Sequence, residues 1–357
     1  MKKILSSLLA LTVLIALVGC GGSTGSNEEK ISIGFVTDIG GIDDKSFNQT
    51  SYEGLEKFAN EAGLVVGEDL KYLQSATESD YIPNLSQFAD VGTDLIVAAG
   101  YLFSDAMSEI VTNYPDQKML IIDVDWLSGD NLQQAVFAEH EGSFLVGVVA
   151  ALAAQAAGQD TFGMVLGSES VTMAKFYAGY EAGILAVMPE ATILYDNAGA
   201  FNTPEVGKTL AAKQYNAGAY VVFHAAGGTG NGVIQEAADR RQNGEDVWVI
   251  GVDTNQYDYG IYDGTNSAVL TSMLKRVELA SYNAAKAIAD GTFEAGVVRY
   301  TLADGGVGLP AENPNFSNEV FEGVDFDAAV AEWTEKIVSG EVVVPEVSET
   351  GRGVKAG

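Results

Sequence analysis

From residue 31 onward the chain alternates short apolar runs with longer amphipathic stretches, and this alternation limits the fold more than any other feature. Residues 31–37 (ISIGFVT) read as a strand, and 44–62 as a helix whose Leu55, Phe58, Ala59 and Ala62 sit at helical spacing. Strand 95–99, helix 103–112, strands 119–124 and 134–138, and a small-residue-rich helix 143–157 follow. The pattern then restarts with strand 161–166, helix 171–187, strand 192–195, helix 204–216, strand 219–224, helix 232–243 and strand 247–252. A further strand, 269–274, leads into a helix ending at Asp290; beyond Gly291 the chain turns irregular until a last helix, 326–339. Strands apolar on both faces and separated by helices belong in parallel sheets covered on both sides. About ten of them are too many for one comfortable open sheet. Two doubly wound α/β lobes are therefore expected, in keeping with a length of 357 residues. With 47% hydrophobic and 19% charged residues, the chain can bury a sizeable core. No short-period repeat of the solenoid kind is present.

Charge and residue counts exclude several functions. Nineteen basic residues against 49 acidic ones leave a net charge of −30, which repels phosphate backbones, so no nucleic-acid partner is expected. Two histidines, His140 and His224, and one cysteine, Cys20, leave little material for a His/Cys metal site, and no metal or cofactor is expected. The lone cysteine also forbids an intrachain disulfide. It closes an address: Met1-Lys2-Lys3 is basic, 4–18 is apolar but for Ser6, Ser7 and Thr12, and Leu17-Val18-Gly19-Cys20 resembles a bacterial lipobox. Residues 1–19 are expected to be a lipoprotein signal peptide and Cys20 the lipidated N-terminus. Residues 20–30, with the polar run GGSTGSNEE, read as a tether. The folded part is thus expected at the extracytoplasmic face of the cell membrane, anchored by lipid, since no later segment is long and apolar enough to span a bilayer.

In doubly wound sheets, ligands bind outside the carboxyl ends of the strands. Asp38 and the run 40–48 (GGIDDKSFN) follow the first strand; Gly100 and Tyr101 follow 95–99; Asp123, Asp125 and Trp126 follow 119–122. Asn197 and Phe201 follow 192–195, the run 225–232 (AAGGTGNG) follows 219–224, Asp253 follows 247–252, and 269–274 leads into Lys275. Carboxylates there can accept from ribose hydroxyls or base N–H groups, and aromatic faces can stack on a planar ligand. Each residue has a plainer reading when taken singly: Asp44 and Asp253 as helix caps, Phe47 as a core aromatic, 227–232 as a turn, Lys275 as a solvated charge. Their joint placement at one sheet edge favours a binding site.

Catalytic readings fail on particular residues. Val206-Gly207-Lys208-Thr209 imitates the end of a phosphate-binding loop, but Asn202 stands where that loop requires glycine. Gly228-Thr229-Gly230 begins a dinucleotide fingerprint, and Val233 replaces its third glycine. Asp123-Val124-Asp125 imitates a calcium loop with Leu127 in a ligand's place, and Gly167-Ser168-Glu169-Ser170 is no nucleophile elbow. No enzymatic activity is expected.

Four segments, 40–49 (GGIDDKSFNQ), 227–233 (GGTGNGV), 250–253 (IGVD) and 270–276 (LTSMLKR), together resemble the basic membrane protein family. These are lipid-anchored substrate-binding proteins of ABC importers, with purine nucleoside receptors as the best-known members. The likeness covers nearly all of the chain beyond the signal, in order. It implies a type I periplasmic-binding-protein fold, with two doubly wound parallel-sheet lobes joined by three hinge crossovers. The first lobe is placed at 31–138 and 272–318, the second at 139–271 and 319–346, with 347–357 as a tail. The resemblance further implies that Asp38, Phe47 and Asn48 line the first lobe's side of the cleft, with Asp123 reaching the base. Phe201, Gly227, Asp253 and Lys275 match the family's positions for stacking and for holding the ribose. Phe47 and Phe201 are then expected to sandwich a purine, and Lys275 to compensate the buried Asp253. Trp126 departs from the family pattern. The function implied is capture of nucleosides, purine ones foremost, by a monomer that serves an ABC permease and its ATPase. A surface sensor or adhesin of the same fold, or a receptor for another flat ligand such as a flavin, is the alternative. Nucleoside hydrolysis, hinted at by the aspartates of 123–130, is a distant third.

Overall fold

The computed structural model describes residues 30–353; the expected signal peptide, Cys20 and all of the tether except Lys30 lie outside the described residues. The chain first lays down β1 (Ile33–Val36), α1 (Phe47–Ala62), β2 (Leu70–Leu73), α2 (Tyr81–Asp90), β3 (Leu95–Ala99), α3 (Ser104–Asn113), β4 (Met119–Ile122) and β5 (Leu132–Phe137). It then crosses into α4 (Glu139–Ala157), β6 (Thr161–Leu166), α5 (Val171–Val187), β7 (Thr192–Asn197), α6 (Pro204–Asn216), β8 (Val221–Ala225), α7 (Gly228–Gln242), β9 (Trp248–Asp253) and β10 (Val269–Lys275). It returns through α8 (Val277–Ala289) and β11 (Gly296–Tyr300), and crosses a third time to β12 (Val307–Gly308) and α9 (Phe326–Val338).

Two six-stranded sheets result, ordered β11-β5-β4-β3-β1-β2 and β12-β10-β9-β8-β6-β7. The pairings are parallel except that of β10 with β12. The two orders trace the same winding, so β4 and β9 hold equivalent places. Central strands such as β1, β3 and β4 are buried along their whole length, because helices cover both faces. The edge strands β2 and β11 are largely exposed.

In the second lobe α4 lies so close to α5 that a side chain at Gly179 or Gly183 would strike the backbone carbonyl of His140 or Phe144. Small residues at the crossing permit that approach. The expectation that no later segment is long and apolar enough to span is corrected: among the described helices α4 is, but most of it is buried inside the protein.

The three crossovers are stitched together. Ala138 N–H donates to the Tyr300 carbonyl at 2.8 Å, Arg276 N–H to the Gly306 carbonyl at 3.0 Å, and Leu302 N–H to the Glu141 carboxylate at 2.8 Å. Two of the expected lobe boundaries need correction. Residue 272 falls inside β10, which pairs with β9 in the second sheet as far as Leu274, so the chain leaves that sheet only after Lys275. The last return precedes β12, which pairs with β10, and so lies well before 318. The described part of the tail is docked on the second lobe: Arg352 donates to the Tyr177 hydroxyl and the Ile193 carbonyl, both at 2.8 Å, and Gly353 accepts from Ser170 N–H at 3.1 Å.

Candidate functional site

The loop after β1 is organised by two carboxylates. Asp44 accepts the backbone N–H groups of Ser46, Asn48 and Gln49 at 2.9, 2.8 and 3.1 Å, a capping role at the start of α1. The helix therefore begins at Phe47 rather than at 44. Asp38 accepts from Gly40 N–H and from the Asn48 side-chain amide, each at 2.7 Å, while Asn48 Oδ1 takes the Asp38 N–H at 3.1 Å. Burial pushes the Asp38 carboxyl up to about 6 against those hydrogen bonds.

Asp123 and Asp253 close the equivalent strands β4 and β9, with φ of 69° and 67°. With Lys45 at 57° they are the only non-glycine residues of positive φ among those described. All three lie in or beside one cleft, where strained backbone tends to be kept for function. That cleft holds about 560 Å³ of free space, part of it open to solvent, at the carboxyl ends of both sheets. All eight expected residues line it: Asp38, Phe47, Asn48 and Asp123 from the first lobe, Phe201, Gly227, Asp253 and Lys275 from the second. Tyr101, Met173 and Phe176 line it as well. Trp126 does not; it is largely exposed.

The expected pairing of Lys275 with Asp253 is corrected. The Lys275 ammonium lies 2.6 and 2.7 Å from the two Asp123 oxygens and 3.0 Å from Glu139 Oε1. Burial opposes its charge, but Asp123, Glu139 and Asp253 outweigh burial and hold it protonated. Asp253 instead accepts from the Ser46 hydroxyl of the opposite lobe. Burial pushes the Asp253 carboxyl up to about 7, although Lys275 and the Ser46 hydrogen bond work the other way. Glu139 stands in the first turn of α4, four residues ahead of the start expected from the sequence. Nothing in the local pattern marked it as a partner for a lysine far along the chain.

The rings enter from both sides. Phe47 is half-buried, with the Lys275 ammonium 5.2 Å from its centroid. Phe201 rests against Gly167, where a side chain would collide with it, and meets Tyr101 edge-on at 6.3 Å and 75°. Further contacts draw the lobes together over the cleft. The Asn202 amide donates to the Ile39 carbonyl at 3.3 Å, the Asn231 amide to the Asp44 carbonyl at 3.0 Å, and the Gln256 amide to the Lys45 carbonyl at 3.0 Å. Neither histidine lines the site; His224 is fully buried, and burial pushes it down to about 3. Among the described residues no group of His, Cys, Asp and Glu is arranged to hold a metal ion.

Two parallel-sheet lobes, three crossovers and a buried polar cleft with aromatic walls define a solute-binding protein of the periplasmic type. The family model for the Bmp family, described as ABC transporter substrate-binding protein PnrA-like, matches residues 31–348, and the chain belongs to that family. A CD4+ T-cell-stimulating antigen of Listeria innocua is 38% identical, over 95% of this chain and 98% of that one. A Lactococcus lactis protein named ABC transporter nucleoside-binding protein BmpA is 34% identical, over 97% and 99%. The crystal structure of an ABC transporter solute-binding protein from Aeropyrum pernix superposes with a TM-score of 0.78 at 27% identity, over 88% of this chain and 94% of that one.

Proposed function

We propose that this chain captures nucleosides, purine nucleosides foremost, in the interlobe cleft and delivers them to the permease and ATPase of an importer. The observation that carries this reading is the meeting, in one cleft, of a phenyl ring from each lobe with the carboxylates that end two equivalent strands. Flat bases stack on such rings at about 1–3 kcal/mol per base. Asp38 and Asp123 offer acceptors to a base edge, Asn48 orients Asp38 through an amide whose N–H groups go to Asp38 and Asp44, and Asp253 offers an acceptor to ribose hydroxyls. Four carboxylates, Asp38, Asp44, Asp123 and Asp253, line the site with one lysine, which opposes an added phosphate and favours the uncharged nucleoside. The nucleoside-binding name of the Lactococcus relative supports the same reading. The protein works as a monomer that binds without turnover, held at the membrane by lipid on Cys20.

The test is calorimetry with adenosine, guanosine and inosine against adenine, ribose and a flavin, alongside native mass spectrometry for co-purified ligand. Nucleosides should bind with the highest affinity and stay intact. Tighter binding of the flavin, or release of free base, would overturn the reading. Cys20→Ser should release the full-length protein from the detergent phase; retention there would rule out the lipid anchor.

A further inference from the structure

We propose that Glu139, which does not line the cleft, is a positioning residue for it: its carboxylate aims the Lys275 ammonium at the bound ligand. Glu139 is 1% exposed. Its Oε1 lies 3.0 Å from Lys275, while Oε2 makes no hydrogen bond and lies 3.8 Å from the ammonium of Lys175, another buried residue. Asp123, Lys275, Glu139 and Lys175 thus follow one another with alternating sign, and the row ends on the exposed Glu346 carboxylate 3.7 Å from Lys175; pairing of this kind is the condition under which buried ions are tolerated.

An ammonium has three donors. Asp123 and Glu139 engage two of them, and the rings of Phe47, Phe137 and Phe176, at 5.2, 5.2 and 5.5 Å, crowd the remaining directions. One N–H is left for the cleft that Lys275 lines. Removing the Glu139 charge would free the ammonium to turn toward Asp253, the next carboxylate whose charge it feels. The third N–H would then no longer point where a ribose oxygen waits. The pair also joins the first crossover, which ends at Glu139, to the second, which begins after Lys275.

The inference rests on the nucleoside reading of the cleft, with Lys275 serving the ribose. Its test is Glu139→Gln, which keeps size and an acceptor oxygen but removes the charge. Calorimetry on the intact protein should show adenosine affinity falling about tenfold, as expected when a charge-assisted contact is misaligned, with adenine affinity nearly unchanged. An equal loss for both ligands would mark a merely structural role, and unchanged adenosine binding would likewise overturn the proposal. In a Lys275→Met background Glu139→Gln should leave the adenosine-to-adenine ratio where it is; a further change would show that Glu139 does not act through Lys275. If the single variant does not fold, Glu139→Gln with Lys175→Gln keeps the buried charge balanced and is measured in its place. Wild-type protein that binds no nucleoside would instead overturn the reading of the cleft, and this proposal with it.

Discussion

Asp253 is a buried acid with no lysine of its own, and that has a thermodynamic consequence. Its carboxyl is pushed up to about 7 in the folded protein, against roughly 3.9 for an unperturbed aspartate. Between those values the folded state holds a proton that the unfolded state has released, so stability falls as pH rises through 7. Asp38, pushed up to about 6, acts in the same direction. The thermal midpoint of ligand-free protein should therefore rise as pH is lowered from 8 to 5. Asp253→Asn should flatten the upper part of that rise, near pH 7, and leave the contribution of Asp38; a slope identical to wild type would mean that burial of Asp253 is not its cause. The residues of the cleft were legible because aspartates, rings and glycines follow apolar runs at the strand ends. Which carboxylate Lys275 meets was not legible, because the choice among Asp123, Glu139 and Asp253 is made by the crossing of distant segments.

Elements were legible in proportion to their burial. The strands β3 (LIVAA) and β6 (TFGMVL) stand out as apolar runs, and the ends of both agree with the expected ones. By contrast β2 (LKYL) and β11 (GVVRY) lie at sheet edges, where half or more of each strand faces water and the apolar run disappears. The helix α2 buries only Tyr81, Leu85, Phe88 and Ala89, and Pro83 sits in its first turn, a permitted place that reads locally as a break. The small residues of α4 were visible, but only the structure shows that they face Gly179 and Gly183 of α5. At Gly183 an added Cβ would meet the Phe144 carbonyl, and backbone yields less readily than a side chain. Gly183→Ala should cost about 1–3 kcal/mol through overpacking. Urea unfolding should show a lower midpoint with an unchanged slope; an unshifted midpoint would mean that the two helices separate freely.

At the scale of the molecule, the doubling of one winding was legible in the restart of the strand–helix pattern near residue 140. The places where the chain changes lobe were not, since β10 and the loop 301–306 carry no local mark of the sheet they serve. Those passages matter because the lobes meet over the cleft through the amides of Asn202, Asn231 and Gln256, the Ser46–Asp253 contact and the buried Lys275–Asp123 ion pair. Neutral amide hydrogen bonds of this kind contribute about 0.5–1.5 kcal/mol each, so each biases the lobes toward closure by a modest, separable amount. A ligand that touches both lobes binds the closed form better and draws the population toward it. Small-angle scattering should accordingly give a smaller radius of gyration with saturating guanosine or adenosine than without. Asn231→Ala removes one cross-lobe bond, to the Asp44 carbonyl, and leaves the lining of the cleft intact. It should lower nucleoside affinity by roughly twofold to tenfold, the equivalent of one such bond, and enlarge the ligand-free particle while the saturated particle keeps its size. Unchanged affinity with an unchanged ligand-free radius would mean that the lobes are already held shut by the crossovers alone, and that the cross-lobe amides only decorate a rigid cleft.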